Sequence, residues 1–378
     1  MDFTFTEEQQ AAVEAARGVF AGVAPDGVPS PALTAGAVAD DFDRALWTRL
    51  ADADVLSLLL DARHGGAGLD AVALCLVLRE SAKVLARVPL LESTAAAVTV
   101  QTYGGEDLRA DLLARAGRGE LVLTVAAHGR TGHDSAELAV SARQEGDTWV
   151  LDGLQTAVPW AQNADFVLVP ALSSGSGRSV LALVPHGHQG AALAEQISTT
   201  GERLGELRLD SVRLSARHVI DADGAWAWLR NLLATGTCAL ALGLGERVLA
   251  MTSAYTGKRE QFGFPVATFQ AVAMQAADRY IDLRAMEATL WQAAWRISSG
   301  AGGALPASGD VAVAKIWASE GVRRVAQTAQ HLHGGFGADT DYALHRYHAW
   351  AKHLELSLGP AAAHEEALGD LLAAHPLG

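Results

Sequence analysis

Cysteine is almost missing from this chain, with two residues, Cys75 and Cys238, among 378. That excludes a disulfide-built scaffold, and both thiols sit in apolar stretches that read as buried and reduced. Charge is sparse as well, at 19% of residues, and leans negative to a net −14. No basic run interrupts it, so a phosphate backbone meets repulsion and nucleic acid is not an expected partner. The longest apolar runs, 55–60 and 239–244, fall far short of a bilayer, which leaves no expected membrane span. The opening MDFTFTEEQQ lacks the basic and apolar regions of a secretory leader, so a cytoplasmic protein is expected. What the chain has is apolar bulk: half its residues are hydrophobic, enough to build a large core in two or three layers or domains.

Texture divides the sequence into three. Residues 1–118 read as helices, the first opening at Thr6 with Glu7 and Glu8 in its first turn. Leu46, Leu50 and the run after Asp54 suggest a helical hairpin. A glycine turn at 64–69 then leads into an apolar helix, 71–85, with Glu80 and Lys83 on its exposed face. Across 119–222, short β-rich runs alternate with Gly, Asp, Pro and Ser at a spacing near ten residues. Those runs are 122–125, 137–142, 148–151, 166–171, 179–184, 205–209 and 212–214, and they predict an antiparallel barrel or sandwich. Residues 223–378 turn helical again in four segments, 225–257, 267–299, 309–332 and 342–358, as expected of a four-helix bundle. The fold class is therefore α+β: a helical domain, a β domain and a helical bundle.

Specific strings fall on this frame. REQFG at 259–263 precedes Phe269-Gln270, and HGGFG at 333–337 precedes Thr340, Asp341 and Tyr342. Arg259 offers a planar cationic fork suited to a pyrophosphate, with a helix-end ion pair to Glu260 as the plainer role. Gly334 and Gly335 carry no Cβ, so a ligand can lie against bare backbone there. Trp160 is either a cofactor neighbour or a core tryptophan. His345, His348 and His353 share one helix near His331 and His333. No carboxylate or cysteine completes a ligand set among them, so no metal is expected.

In this order, the strings resemble the acyl-CoA dehydrogenase family over essentially the whole length. The opening DFTFTEEQQ, RHGGAGL at 63–69 and GELRLDSVRL at 205–214 add to the match. The resemblance implies FAD between the β domain and the C-terminal bundle, across a subunit interface. It assigns cofactor contacts to Arg259, Gln261, Phe262, Phe269, Gln270, Gln330, His331, Gly334, Gly335 and Thr340. Trp160 and Ala161 fall where the family presents a strand near the flavin ring. The family's flavin-contacting threonine has no counterpart in the AAHG at 126–129, with Thr124 or His128 as substitutes, and Pro360 replaces another threonine.

The resemblance also implies a glutamate base that removes the α-proton of an acyl-CoA thioester while hydride leaves for the flavin. In most relatives that base lies 24 residues after the first glycine of the turn, which here is Leu358. In others it lies 26 residues ahead of the arginine, which here is Leu233. Both are aliphatic. Glu246, on the same helix as Leu233, and Asp341 are the remaining carboxylate candidates, each with a plainer structural role.

The AKHLEL at 351–356 followed by Gly359 is similar to a bacterial branch that oxidises steroid-derived and other bulky acyl-CoAs as α2β2 assemblies. Three readings follow. The chain is a base-lacking subunit that completes a partner's site, a self-sufficient homo-oligomer acting on a CoA-bound or carrier-bound acyl thioester with a relocated base, or a non-catalytic scaffold. The first two imply an electron-transfer flavoprotein-like acceptor.

Overall fold

The computed structural model describes residues 4–25, 34–131 and 137–375; the first three residues of the expected opening motif lie outside it. Helix α1 (Glu7–Phe20) starts where the Thr6 hydroxyl accepts the Gln9 N–H and the Gln9 side chain accepts the Thr6 N–H, a reciprocal cap. Helix α2 (Arg44–Asp52) is capped by Asp43. The apolar run beyond it makes only a short 3-10 turn, because Asp54 reverses the chain at φ +56. Helices α3 (Ala71–Lys83), α4 (Leu90–Tyr103) and α5 (Glu106–Gly117) complete the first layer. Glu80, expected on an exposed face, is instead buried, where it accepts from Arg17 and Lys83.

The middle region holds strands β1 (Leu123–Val125), β2 (Val140–Glu145), β3 (Thr148–Pro159) and β4 (Phe166–Ser173). Strands β5 (Ser179–Pro185), β6 (Ala191–Ile197), β7 (Arg203–Ser215) and β8 (Val219–Ile220) follow. They form one sheet in the order β6-β7-β3-β2-β4-β5-β8, with β1 beside β4. The expected all-antiparallel arrangement is corrected: β4 pairs in parallel with both β1 and β2. The two expected runs at 205–209 and 212–214 are one bent strand, β7. Strand β6 was not anticipated, since its half-exposed AALAEQI lacks a β-rich signature.

Helix α6 (Ala225–Lys258) is the axis of the C-terminal region, packed against α3, α4, α7 (Gln270–Ser299), α8 (Ala307–His333) and α9 (Leu344–Leu356). It alone among the described residues is long and apolar enough to cross a membrane, yet 78% of its most apolar window is buried inside the protein. Its approach to α3 is through backbone: a Cβ on Gly243 would lie 2.0 Å from the Arg79 carbonyl oxygen. A fifth helix, α10 (Ala361–Ala374), extends the expected four and packs on α8. Both cysteines are buried free thiols.

Candidate functional site

Two regions carry the residues singled out above. The first is an exposed edge at one end of α6 and α8. Gly334 ends α8 at φ +61, a conformation that suits glycine, and its Cβ direction, like that of Gly335, meets nothing within 4 Å. Tyr255 of α6 stacks on His333 at 4.3 Å and on Phe336 at 5.3 Å, and Tyr342 packs on Phe336 at 4.5 Å. The Gln330 amide donates to the Gly334 carbonyl at 3.0 Å and closes the turn from inside. His331, Thr340 and Asp341 lie exposed around it, the Asp341 N–H donating to Asp339.

The same Tyr255 leads to Arg259, whose N–H donates to the Tyr255 carbonyl at 2.8 Å. Arg259 opens a hairpin of β9 (Glu260–Gln261) and β10 (Phe264–Pro265), turned by Phe262 and Gly263 at φ +56 and +82. Phe262 stands 91% exposed and meets Phe269 edge-on at 6.3 Å, while Gln270 opens α7 in solvent. The Gln261 amide donates to the Glu260 carbonyl. Arg259 is exposed, and among the described residues no carboxylate, Glu260 included, lies within ion-pair reach of it. The structure thus brings the arginine hairpin and the glycine turn to one edge through one aromatic stack.

The second region is a cavity of about 80 Å³ between the first helical layer, the sheet and the bundle. Leu233 from α6 and Leu358 beyond α9, reached by two unrelated counts along the chain, both line it. A bulge in β3 between Gln155 and Val158, with Ala157 at φ +51, turns Ala157 and Pro159 towards the same space. Leu358 is buried and holds φ +58, a strained setting for a leucine. Its place is fixed from α8: the buried Lys315 ammonium donates to Ser319 Oγ and to the carbonyls of Leu354, Glu355 and Gly359 at 2.7–3.4 Å. These carbonyls lie at or just past the end of α9, and burial pulls Lys315 down to about 8, opposed by Cys238 and Glu355.

Trp160 and Ala161 are core residues in this chain. Trp160 is buried with its indole N–H donating to Glu92 Oε2 at 3.2 Å, and Ala161 packs where a Cβ on Gly205 would meet it at 2.6 Å. Neither lines the cavity. The Thr124 hydroxyl is spent on the Pro159 carbonyl at 2.6 Å, whereas His128 does line it. Glu246 is drawn away from the cavity into a cluster with Arg79, Lys83 and Arg284. Among the described residues no three His, Cys, Asp or Glu converge on a metal-sized point: His345 donates to the Tyr342 carbonyl and His353 faces the cavity.

Sequence reasoning missed Glu92, the one carboxylate on the cavity wall. Burial pushes it up to about 7, opposed by its own backbone N–H and the Trp160 indole. The available signal was a lone acid in the first turn of α4, whose residues are otherwise apolar or hydroxylic through Val100.

Family models match on both sides of the sheet: "Acyl-CoA dehydrogenase, N-terminal domain" over residues 6–120 and "Acyl-CoA dehydrogenase, C-terminal domain" over 230–372. The chain is 38% identical to acyl-CoA dehydrogenase FadE27 of Mycobacterium tuberculosis over 340 residues, covering 89% of this chain and 90% of that one. Its fold is similar to the ChsE4-ChsE5 complex of Mycobacterium tuberculosis, with TM-score 0.90, 35% identity and full coverage of both chains. It is also similar to the Tcur3481-Tcur3483 steroid ACAD G363A variant, with TM-score 0.89, 35% identity and coverage of 97% and 98%. By sequence and by fold, the chain belongs to the acyl-CoA dehydrogenase family.

Proposed function

We propose that this chain is the base-lacking subunit of a hetero-oligomeric, FAD-dependent acyl-CoA dehydrogenase of α2β2 type, and that it completes a flavin site shared with a homologous partner. The observation that carries this is the pair Leu233 and Leu358: both positions where the family's glutamate is expected are buried leucines on one cavity. An aliphatic side chain accepts no proton, so the carboxylate that takes the α-proton comes from the partner. Two similar structures are described as a two-named complex and as a steroid ACAD, which supports a bulky, steroid-derived acyl-CoA as substrate. An electron-transfer flavoprotein-like protein is the fitting electron acceptor.

The residues fit FAD at one end only. At the exposed edge, an arginine without a carboxylate neighbour and bare backbone at Gly334 and Gly335 suit a pyrophosphate and its sugar. Arg259, Gln261, Phe262, Phe269, Gln270, Gln330, His331, Gly334, Gly335 and Thr340 would hold that end. At the cavity, about 80 Å³ is small against the 300 Å³ or more typical of ligand pockets, and Pro159 has no N–H to offer. Trp160 and Ala161 are buried in this chain and do not line that cavity, so they support the ring end of the site from behind. FAD, when bound, supplies acceptance of the hydride from the β-carbon. Arg259 binds and orients the nucleotide.

A self-sufficient enzyme with Glu246 or Asp341 as its relocated base finds no support, since neither lines the cavity. The test is expression of the chain alone and together with a homologue carrying glutamate at one of the two base positions. The expected result is a colourless chain alone and a yellow complex with one flavin per two chains. A yellow homo-oligomer that reduces an artificial acceptor with an acyl-CoA would overturn the proposal. A colourless complex inert to every thioester would leave a scaffold role in its place.

A further inference from the structure

The cavity that bears the two leucines has one feature that neither a lost base nor packing accounts for. Its walls carry Leu91, Val125, Leu233 and Leu358 beside the uncharged polar side chains of Thr237 and Ser357 and two histidines, yet Glu92 stands among them. No Lys or Arg lines the cavity, and among the described residues no cation pairs with Glu92. Trp160 donates to one carboxyl oxygen, Oε2, and Glu92's own backbone N–H also bears on the carboxyl; no cationic side chain does. A carboxylate left this way in an apolar wall costs stability.

We propose that this cavity is a binding site for the uncharged oxygen end, a hydroxyl or ketone, of an apolar ligand, with Glu92 as its hydrogen-bond partner. The site's chemistry selects against the alternatives. An anionic ligand meets a carboxyl and no compensating cation. An ammonium ligand would leave its charge in an apolar chamber that offers it a carboxyl largely protonated below neutral pH. An uncharged oxygen suits both protonation states of Glu92: the acid donates to a ketone, and either form accepts from a hydroxyl. At 10–15 Å³ of such volume per water, about 80 Å³ holds roughly five to eight heavy atoms, the size of a C6 alcohol. Three titratable groups face the space: Glu92 from α4, His128 after β1 and His353 from α9. Burial pulls His353 down to about 4, so it stays neutral across the range that titrates Glu92. The inference stands on the cavity alone and does not require the flavin edge.

The test is calorimetric titration of the full chain, in the assembly in which it purifies, with 1-hexanol, 2-hexanone, hexanoate and hexylamine. Wild type is expected to bind 1-hexanol at least tenfold more tightly than hexanoate or hexylamine at pH 6, where Glu92 holds its proton. Glu92→Leu is expected to lose about tenfold for 1-hexanol, and Glu92→Gln to keep its affinity within about threefold. Ala127→Leu, which fills the chamber from another wall, is expected to abolish binding. For wild type, 2-hexanone affinity should fall as pH rises from 6 to 8, while Glu92→Gln shows no such slope. That comparison reads out the site even if the leucine variant does not fold. Hexanoate binding as tightly as 1-hexanol, or a Glu92→Leu protein binding 1-hexanol like wild type, would overturn the proposal, as would a pH slope that survives in Glu92→Gln.

Discussion

The exposed edge and the buried cavity of this chain have parted company. At the edge, Arg259, the Phe262 hairpin and the glycine turn leave a cationic fork, an aromatic ring and bare backbone open to solvent. At the cavity, the two positions where the sequence leads one to expect a base hold leucine, Trp160 is buried, and the acid on the wall is Glu92 of α4. The difference teaches that, on the proposed reading, binding and chemistry draw on largely different elements of this fold, with α6 common to both. The edge hangs on the ends of α6 and α8, whereas the cavity wall draws on α4, β3, α6 and the end of α9, so one can change while the other stays.

The comparison is tested hardest at Lys315. Its replacement by methionine takes the side-chain donor from the Leu354 and Gly359 carbonyls, Ser319 still serving Glu355, and should cost about 2–4 kcal/mol in denaturant unfolding. Lys315 is pulled down to about 8 from 10.5, so the native state favours its neutral form; wild-type stability should therefore rise as pH climbs from 8 to 10.5, and the methionine variant should lack that rise. Cavity and edge together should be perturbed only if α9 anchors both.

Glu92→Gln should have the next largest effect, and in the stabilising direction. The carboxyl is raised from 4.5 to about 7, so its contribution is fully present below pH 4.5 and lost as pH rises through 7. The glutamine variant should therefore be more stable by about 2 kcal/mol at pH 8 and no different near pH 4, in thermal melts across that range. Arg259→Ala should do the opposite of both: melting unchanged within about 0.5 kcal/mol, and flavin content of the partnered complex reduced about tenfold, read from visible absorbance against protein mass. Unchanged flavin content would remove Arg259 from the edge. The smallest effect is expected at Phe262→Ser, below about 0.5 kcal/mol, because that ring already faces solvent.

Much of this was legible before any coordinates. The Thr6 cap and the long apolar periods of α6 to α9 are local signals, and local signals survive translation into structure. What failed was non-local. Parallel pairing of β4 with β1 and β2 depends on where the chain returns, not on which residues it carries. Strand β6 is an edge strand held by one neighbour, so its composition is under little pressure to look like a strand. At the site, Leu233 and Leu358 were each reached by counting, but that both face one chamber, with Glu92 between the sheet and the helices, is a fact of packing. A glutamate in an apolar helix is conspicuous in the sequence; only the fold says that no cation answers it.

The left-handed turn at Leu358 has a consequence for how this chain could change. The backbone there is bent into a shape that leucine does not favour, and the bend is clamped by Lys315 and by His364, whose ring donates to the Leu358 carbonyl at 2.9 Å. The identity of residue 358 is therefore decoupled from its location. A substitution at residue 358 would deliver a new functional group to the chamber on the same clamped bend of backbone.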